Sequence, residues 1–157
     1  MPLGLIPLPP MLGQEIDMPL PSLAKVIANN RSQQAVPTSS LNLTITGWTE
    51  SFDTASAFDP VTGLFIAPAD GYFQVDAGIV ATSPTAAYGL AVLVNDVAKL
   101  QLINALAGGQ SVVGGLVQLA KNDVLRFGIT NFSGVNVTLF NNAAAPGANY
   151  LTIAQQL

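Results

Sequence analysis

The segment FDPVTGLFIAPADGYFQVDAGIV, residues 58–80, restricts the fold more than any other stretch, because turns and strands alternate within it. Thr62-Gly63 and Asp70-Gly71 are turn pairs in which glycine supplies the positive φ that a Cβ resists. Leu64 to Ala67, between them, reads as a short strand. Pro68 cannot donate a ladder hydrogen bond, so there the chain leaves the sheet or follows its edge. A longer strand starts at Tyr72. Phe73, Val75, Ala77 and Ile79 share one face of it, and Tyr72, Gln74, Asp76 and Gly78 share the other, the period of two of a half-buried strand. One face enters a core; the other is exposed or meets a partner.

From Leu41 onward the same pattern repeats. Strands are predicted at Leu41 to Ile45, Ala86 to Val94, Val97 to Leu106, Val112 to Leu119, Val124 to Thr130, Val135 to Phe140 and Tyr150 to Gln155. Turn signals separate them at Asn95-Asp96, Gly108-Gly109, Asn122-Asp123, Ser133-Gly134 and Asn141-Asn142. Strands at about ten-residue spacing with no amphipathic helix between them predict an antiparallel sandwich or barrel. This head domain is placed at residues 37–157.

Residues 1–36 differ in kind. Prolines at 2, 7, 9, 10, 19 and 21 alternate with aliphatic residues, which favours an extended arm. Leaving Leu3, Leu5, Ile6, Leu8, Met11, Leu12 and Ile16 in water is costly at about 25 cal/mol per Å², so they are expected to anchor the arm to a partner. A short helix is expected over Ser22 to Gln34, with Ser22 as its cap and Leu23, Val26 and Ile27 on one face. The opening MPLGLIPLPPMLG lacks a cationic leader region and its prolines break a helix, so it is expected to be retained and not to insert in a membrane.

A chain of 157 residues is one domain of ordinary size, and only 9% of it is charged against roughly 25% in an average soluble domain. Its surface is therefore uncharged or partly hidden in an assembly. The net charge of −4, with no basic cluster, gives no footprint for nucleic acid. The chain has no Cys and no His, which removes disulfides, thiolate metal sites, the commonest general base and most nucleophilic triads. Glu50 and Asp53 are close in sequence, but a paired-carboxylate glycosidase needs a cleft and an aromatic platform, and Trp48 is the only Trp. No enzyme is expected. Gly108-Gly109 and Gly114-Gly115 match no phosphate loop, since no Lys-Ser/Thr follows. The Asn-X-Ser/Thr triplets at Asn42, Asn131 and Asn136 read as chance matches.

From about Leu41 to Leu157 the chain resembles the globular-head family of complement C1q and tumour necrosis factor. The resemblance rests on Phe58-Asp59, Thr62-Gly63, Phe65, Ala67-Pro68 and Gly71-Tyr72-Phe73. It extends to LAVLVND around Asn95, to Asn122-Asp123 before VLRFGI, and to the closing YLTIAQQL. It implies an all-β, ten-stranded antiparallel jelly-roll sandwich that assembles as a homotrimer. The chain lacks the collagen-like Gly-X-Y stalk and the signal sequence of secreted relatives. Its Ala/Gly/Asn-rich style looks like versions found in bacteriophage particles and bacterial surface fibres, where an N-terminal arm holds a displayed head.

The expectation is a non-enzymatic virion protein, a capsid decoration (cement or head-fibre) trimer whose arm docks on a capsid or tail protein at the virion surface. The alternative is a tail-fibre tip or adhesin, at a bacterial surface or outside the cell, binding a host receptor or glycan. A secreted lectin-like or signalling trimer is the third reading. Trp48, Tyr72, Tyr88 and Tyr150 are candidates for a three-fold interface, with the intradomain core as the competing place for each. Asn141, Asn142 and Asn149 belong to a small, polar loop, NNAAAPGAN, placed at a sandwich tip. No cofactor is expected. Asp59, Asp70, Asp76, Asp96 and Asp123 offer oxygen ligands for calcium, as in some members of the resembled family, yet most sit at turns where Asp accepts local backbone bonds.

Overall fold

The computed structural model describes residues 23–30, 33–82, 87–106, 110–139 and 149–157. Among these the chain runs through β1 (Lys25–Asn30), β2 (Gln34–Val36), β3 (Leu43–Thr44), β4 (Trp48–Asp53), β5 (Phe58–Asp59), β6 (Leu64–Ile66) and β7 (Gly71–Thr82). It continues through β8 (Ala87–Val94), β9 (Val97–Leu106), β10 (Gln110–Leu119), β11 (Val124–Asn131), β12 (Val137–Leu139) and β13 (Tyr150–Gln155). All pairs are antiparallel. One seven-stranded sheet has the order β2-β12-β7-β13-β1-β4, with β10 on the free side of β7. A six-stranded sheet has the order β5-β6-β11-β8-β9, with β3 added beside β11. The result is a jelly-roll sandwich with thirteen strands among the described residues rather than ten. Five of the thirteen, β2, β3, β5, β6 and β12, are pieces of only two or three residues.

Two expectations for the N-terminal third are corrected. Residues 25–30 and 34–36 form strands, not a helix. The 23/26/27 spacing that suggested a helix is outweighed by pairing: Val26 faces Ile153 in β13 and Asp53 in β4, and Val26 and Ala28 are fully buried at period two. β1 is paired on both sides, by β13 and by β4, so its backbone is taken up by the sheet. The boundary at residue 36 therefore falls inside the sandwich, which has begun by residue 25. The anchor candidates Leu3, Leu5, Ile6, Leu8, Met11, Leu12 and Ile16 lie outside the described residues.

The segment 58–80 folds largely as its residues demand. Asp59 caps its own turn, accepting the Val61 amide at 2.9 Å and the Thr62 hydroxyl at 2.8 Å, and Gly63 closes it with φ +73°. At Ala67 the chain leaves β6 and bonds the β10–β11 turn instead: its amide donates to Asp123 O and its carbonyl accepts from Asn122. Pro68 thus sits where no ladder donor is needed. In β7 the side chains of Phe73, Val75, Ala77 and Ile79 are all fully buried. Phe73 meets Phe65 of the opposite sheet edge to face at 5.7 Å, tying the two layers together across the core.

The turns on one end of the sandwich are cross-linked by polar side chains. Asn95 and Asp96 both take positive φ, the geometry of a two-residue hairpin turn between β8 and β9. The Asn95 side-chain Nδ2 donates to Asp123 Oδ1 at 2.7 Å, and Ala120 N–H donates to Asp123 Oδ2 at 2.8 Å. The Ala120 amide, then the Asn95 amide, and to a smaller degree the Lys99 ammonium, hold the Asp123 carboxyl below its ordinary value of 3.8. A depressed carboxyl stabilises the fold above the unfolded value and loses that contribution as pH falls through the folded one. Asp123→Asn should therefore unfold at a lower denaturant midpoint than the parent at pH 7. The difference should close below the ordinary carboxyl range; a gap unchanged at acid pH would show that the charge is not the source.

Candidate assembly face

β10 carries apolar residues on both faces. Val113, Val117 and Leu119 enter the core, while Val112 and Leu116 remain about half exposed on the other side. A strand apolar on both faces has a second face suited to being covered. The pairing of the seven-stranded sheet sets its solvent side out in rows. Leu116 lies beside Gln74, which lies beside Ala154 and then Lys25. In the next row Gly114, Asp76, Thr152, Ile27 and Phe52 follow one another, and in the third Val112, Gly78, Tyr150, Asn29 and Thr49. Tyr72 stands at one end, 52% exposed, and Phe52 at the β4 edge is 47% exposed.

Two glycines flatten this side. A Cβ on Gly78 would meet the Tyr150 ring, and one on Gly114 would meet the Asp76 carboxylate, so each neighbour lies down across a glycine instead of standing off the sheet. Gln74 Nε2 donates to Asp76 Oδ2 at 3.0 Å, which pins the carboxylate in the middle of the face. Lys25 stands at the start of β1, at the end of the first row. The outcome is a broad, flat surface of tyrosine, aliphatic and small polar side chains. Its composition, aromatic and charge-depleted, is that of an interface core rather than a solvated sheet.

Of the four aromatic candidates, the structure keeps two on this face, Tyr72 and Tyr150, and withdraws two. Trp48 is 5% exposed and its indole N–H donates to Ile45 O at 2.8 Å. Tyr88 is fully buried, with its hydroxyl donating to Ser111 Oγ at 2.8 Å, and burial raises its pKa. Both are core residues of a single chain, because each ring fills the space between the sheets and its polar atom finds an internal partner. Asn149 is also corrected: it is 3% exposed and its Oδ1 accepts the Val80 amide at 2.6 Å, so it ties β13 to β7 rather than reaching a partner. Asn141 and Asn142 lie outside the described residues.

The carboxylates have local work. Asp59, Asp70 and Asp123 accept backbone N–H bonds, Asp76 accepts from Gln74, and Asp96 is paired with Arg126 at 2.8 Å. Asp53 accepts the Ala55, Ala57 and Phe58 amides and closes its own turn. Among the described residues no three acidic side chains are grouped to hold a metal. The residues that the sequence reading passed over are Val112, Leu116, Ile27 and Phe52. The signal for the first two was present, as apolar residues on both faces of QSVVGGLVQL. Ile27 and Phe52 needed the β1–β4 pairing to be placed.

The sequence matches no protein-family model and no curated protein. Solved structures do match the fold. Murine APRIL superposes with a TM-score of 0.61 at 8% identity, over 85% of this chain and 99% of that one. The Eiger tumour necrosis factor of S. frugiperda superposes with a TM-score of 0.55 at 12% identity, over 86% of this chain and 93% of that one. At such identities the likeness is one of fold, and the fold is a tumour necrosis factor-like jelly roll.

Proposed function

We propose that this chain is a non-enzymatic binding head that assembles as a homotrimer through the solvent side of its seven-stranded sheet and is held on a virion by its apolar N-terminal segment as a capsid decoration protein. The observation that carries the assembly is the flat, charge-poor face formed by Tyr72, Val112, Leu116, Tyr150 and Phe52. An interface of ordinary size covers about 800 Å² on each partner. The tumour necrosis factor-like fold supports three-fold association in particular, since the resembled family forms compact homotrimers.

The virion role draws its support from the first 22 residues, whose prolines and aliphatic side chains suit an extended segment lying in an apolar groove. Three such segments on one trimer would multiply a weak contact into a durable one. Because β1 belongs to the sandwich, the segment to remove is 1–22, not 1–36. The chain starting at residue 23 should keep the trimeric mass in light scattering and fail to join particles when supplied in place of the full chain. Normal incorporation of that truncated trimer would refute the anchor.

A further inference from the structure

We propose that the solvent side of the six-stranded sheet carries a pocket for one neutral saccharide residue, on the opposite side of the sandwich from the assembly face and independent of it. The pocket, about 70 Å³, lies between Asn42 and Phe132, with Gly89, Gln101 and Thr130 among its walls. Phe132 is 53% exposed, and its ring lies against Gly89. A Cβ at Gly89 would come 3.0 Å from Phe132 Cε2 and 3.1 Å from Leu102 O, so only glycine lets the ring settle this close to the sheet.

The opposite lip is Asn42, held in the left-handed region at φ +48°. That conformation is uncommon outside glycine and persists where the surroundings fix it. Here Arg126 Nη1 donates to the Asn42 carbonyl at 2.7 Å, and Arg126 is itself clamped by Asp96. The Asn42 amide donates to Thr130 Oγ1 at 3.0 Å, and the Thr130 hydroxyl donates back to Asn42 Oδ1 at 3.3 Å. These bonds occupy the acceptor end of the Asn42 side chain and leave Nδ2 with no hydrogen-bond partner among the described residues. The Gln101 side-chain amide is likewise without a hydrogen-bond partner among them.

The chemistry of the lining decides the ligand. None of the residues around the pocket is charged, so an anion or cation would lose its hydration without gaining a counter-charge. A purely apolar ligand would fill the space but leave the Gln101 and Asn42 amides unpaired. A sugar satisfies both halves: its C–H face lies on an aromatic ring, and its hydroxyls both donate and accept, as the Gln101 amide does. Asn42 is also held in place before binding, by Thr130 and Arg126, which lowers the ordering cost of a weak ligand.

The test is a titration of the isotope-labelled full chain with the methyl glycosides of glucose, galactose, mannose and N-acetylglucosamine, followed by NMR. At least one should shift the Asn42 and Gln101 side-chain amide signals together with the Phe132 ring, with millimolar affinity. Phe132→Ala and Gln101→Ala, both at exposed positions, should each weaken that binding about tenfold or more while the signals of β7 stay in place. Tyr72→Ala, on the other sheet, should leave it unchanged. The proposal is overturned if none of the four glycosides moves those amides, or if the shifts survive Phe132→Ala.

Discussion

Gly63→Ala should lower the melting temperature by on the order of 10 °C, the largest loss expected from adding one methyl group anywhere in the 58–80 turn region. Two effects add. Gly63 sits at φ +73°, where a Cβ costs roughly 1–2 kcal/mol. The new Cβ would also press into the Ile45 carbonyl, at an overpacking cost of about 1–3 kcal/mol. That carbonyl is not free to retreat. It accepts the Trp48 indole N–H at 2.8 Å, and the Ile45 amide is bonded to Phe127 O at 2.9 Å. Moving it would break a buried hydrogen bond as well as displace the strand. Against a total stability of about 5–15 kcal/mol for a domain, the sum is a large fraction. Calorimetry of the variant decides: a loss under about 1 kcal/mol would mean that the 59–63 turn relaxes at little cost.

Leu116→Glu should convert the trimer to monomers with little change in the fold of each chain. Leu116 is 55% exposed in the single chain, so the substitution itself is of the surface type and worth about 0.5 kcal/mol or less there. In the proposed trimer the same position is covered. An acidic side chain is the stronger choice, because a basic one could reach Asp76 one row away, whereas Glu adds a like charge beside it. An unpaired buried charge costs about 3–5 kcal/mol, which raises a dissociation constant at least a hundredfold. Sedimentation velocity should then give the mass of one chain where the parent gives three, with the far-ultraviolet spectrum unchanged. A variant that still sediments as a trimer would move the interface elsewhere on the sandwich.

The two results bear on different parts of what the sequence made legible. The turn at Gly63 and the alternation of Phe73, Val75, Ala77 and Ile79 are local properties, fixed by backbone sterics and by period two, and they could be read directly. The strands β9 and β13 were placed at their observed limits for the same reason. Residues 25–30 suggest a helix because Leu23, Val26 and Ile27 share a helical face, whereas the strand buries Ala24, Val26 and Ala28. What decides between them is Ile153, more than a hundred residues away. β4 went unseen because WTESFD is polar except at its Trp48 and Phe52, as an edge strand facing water is free to be. Aromatic type alone did not separate Tyr72 and Tyr150 from Trp48 and Tyr88. Sorting them required knowing which strand face turns inward. The pocket beside Phe132 depends on Gly89, Asn42 and Gln101 meeting across three separate segments, and no pattern within any one of them announces it.

The position of β1 has a consequence for how the chain reaches this structure. It lies between β4 and β13, with Lys25 beside Ala154 and Asn29 beside Tyr150. Among the described residues the strand made earliest is thus paired with the one made last, and this part of the sheet cannot close before β13 has been synthesised. Contacts of such sequence separation make folding slow, because chain entropy is lost before any pairing compensates it. Until then the Val26 and Ala28 face of β1 and the matching face of β7 remain exposed together, the state most open to wrong pairing between nascent chains. An abundance of copies made side by side brings that hazard and, for the proposed trimer, the right partners as well.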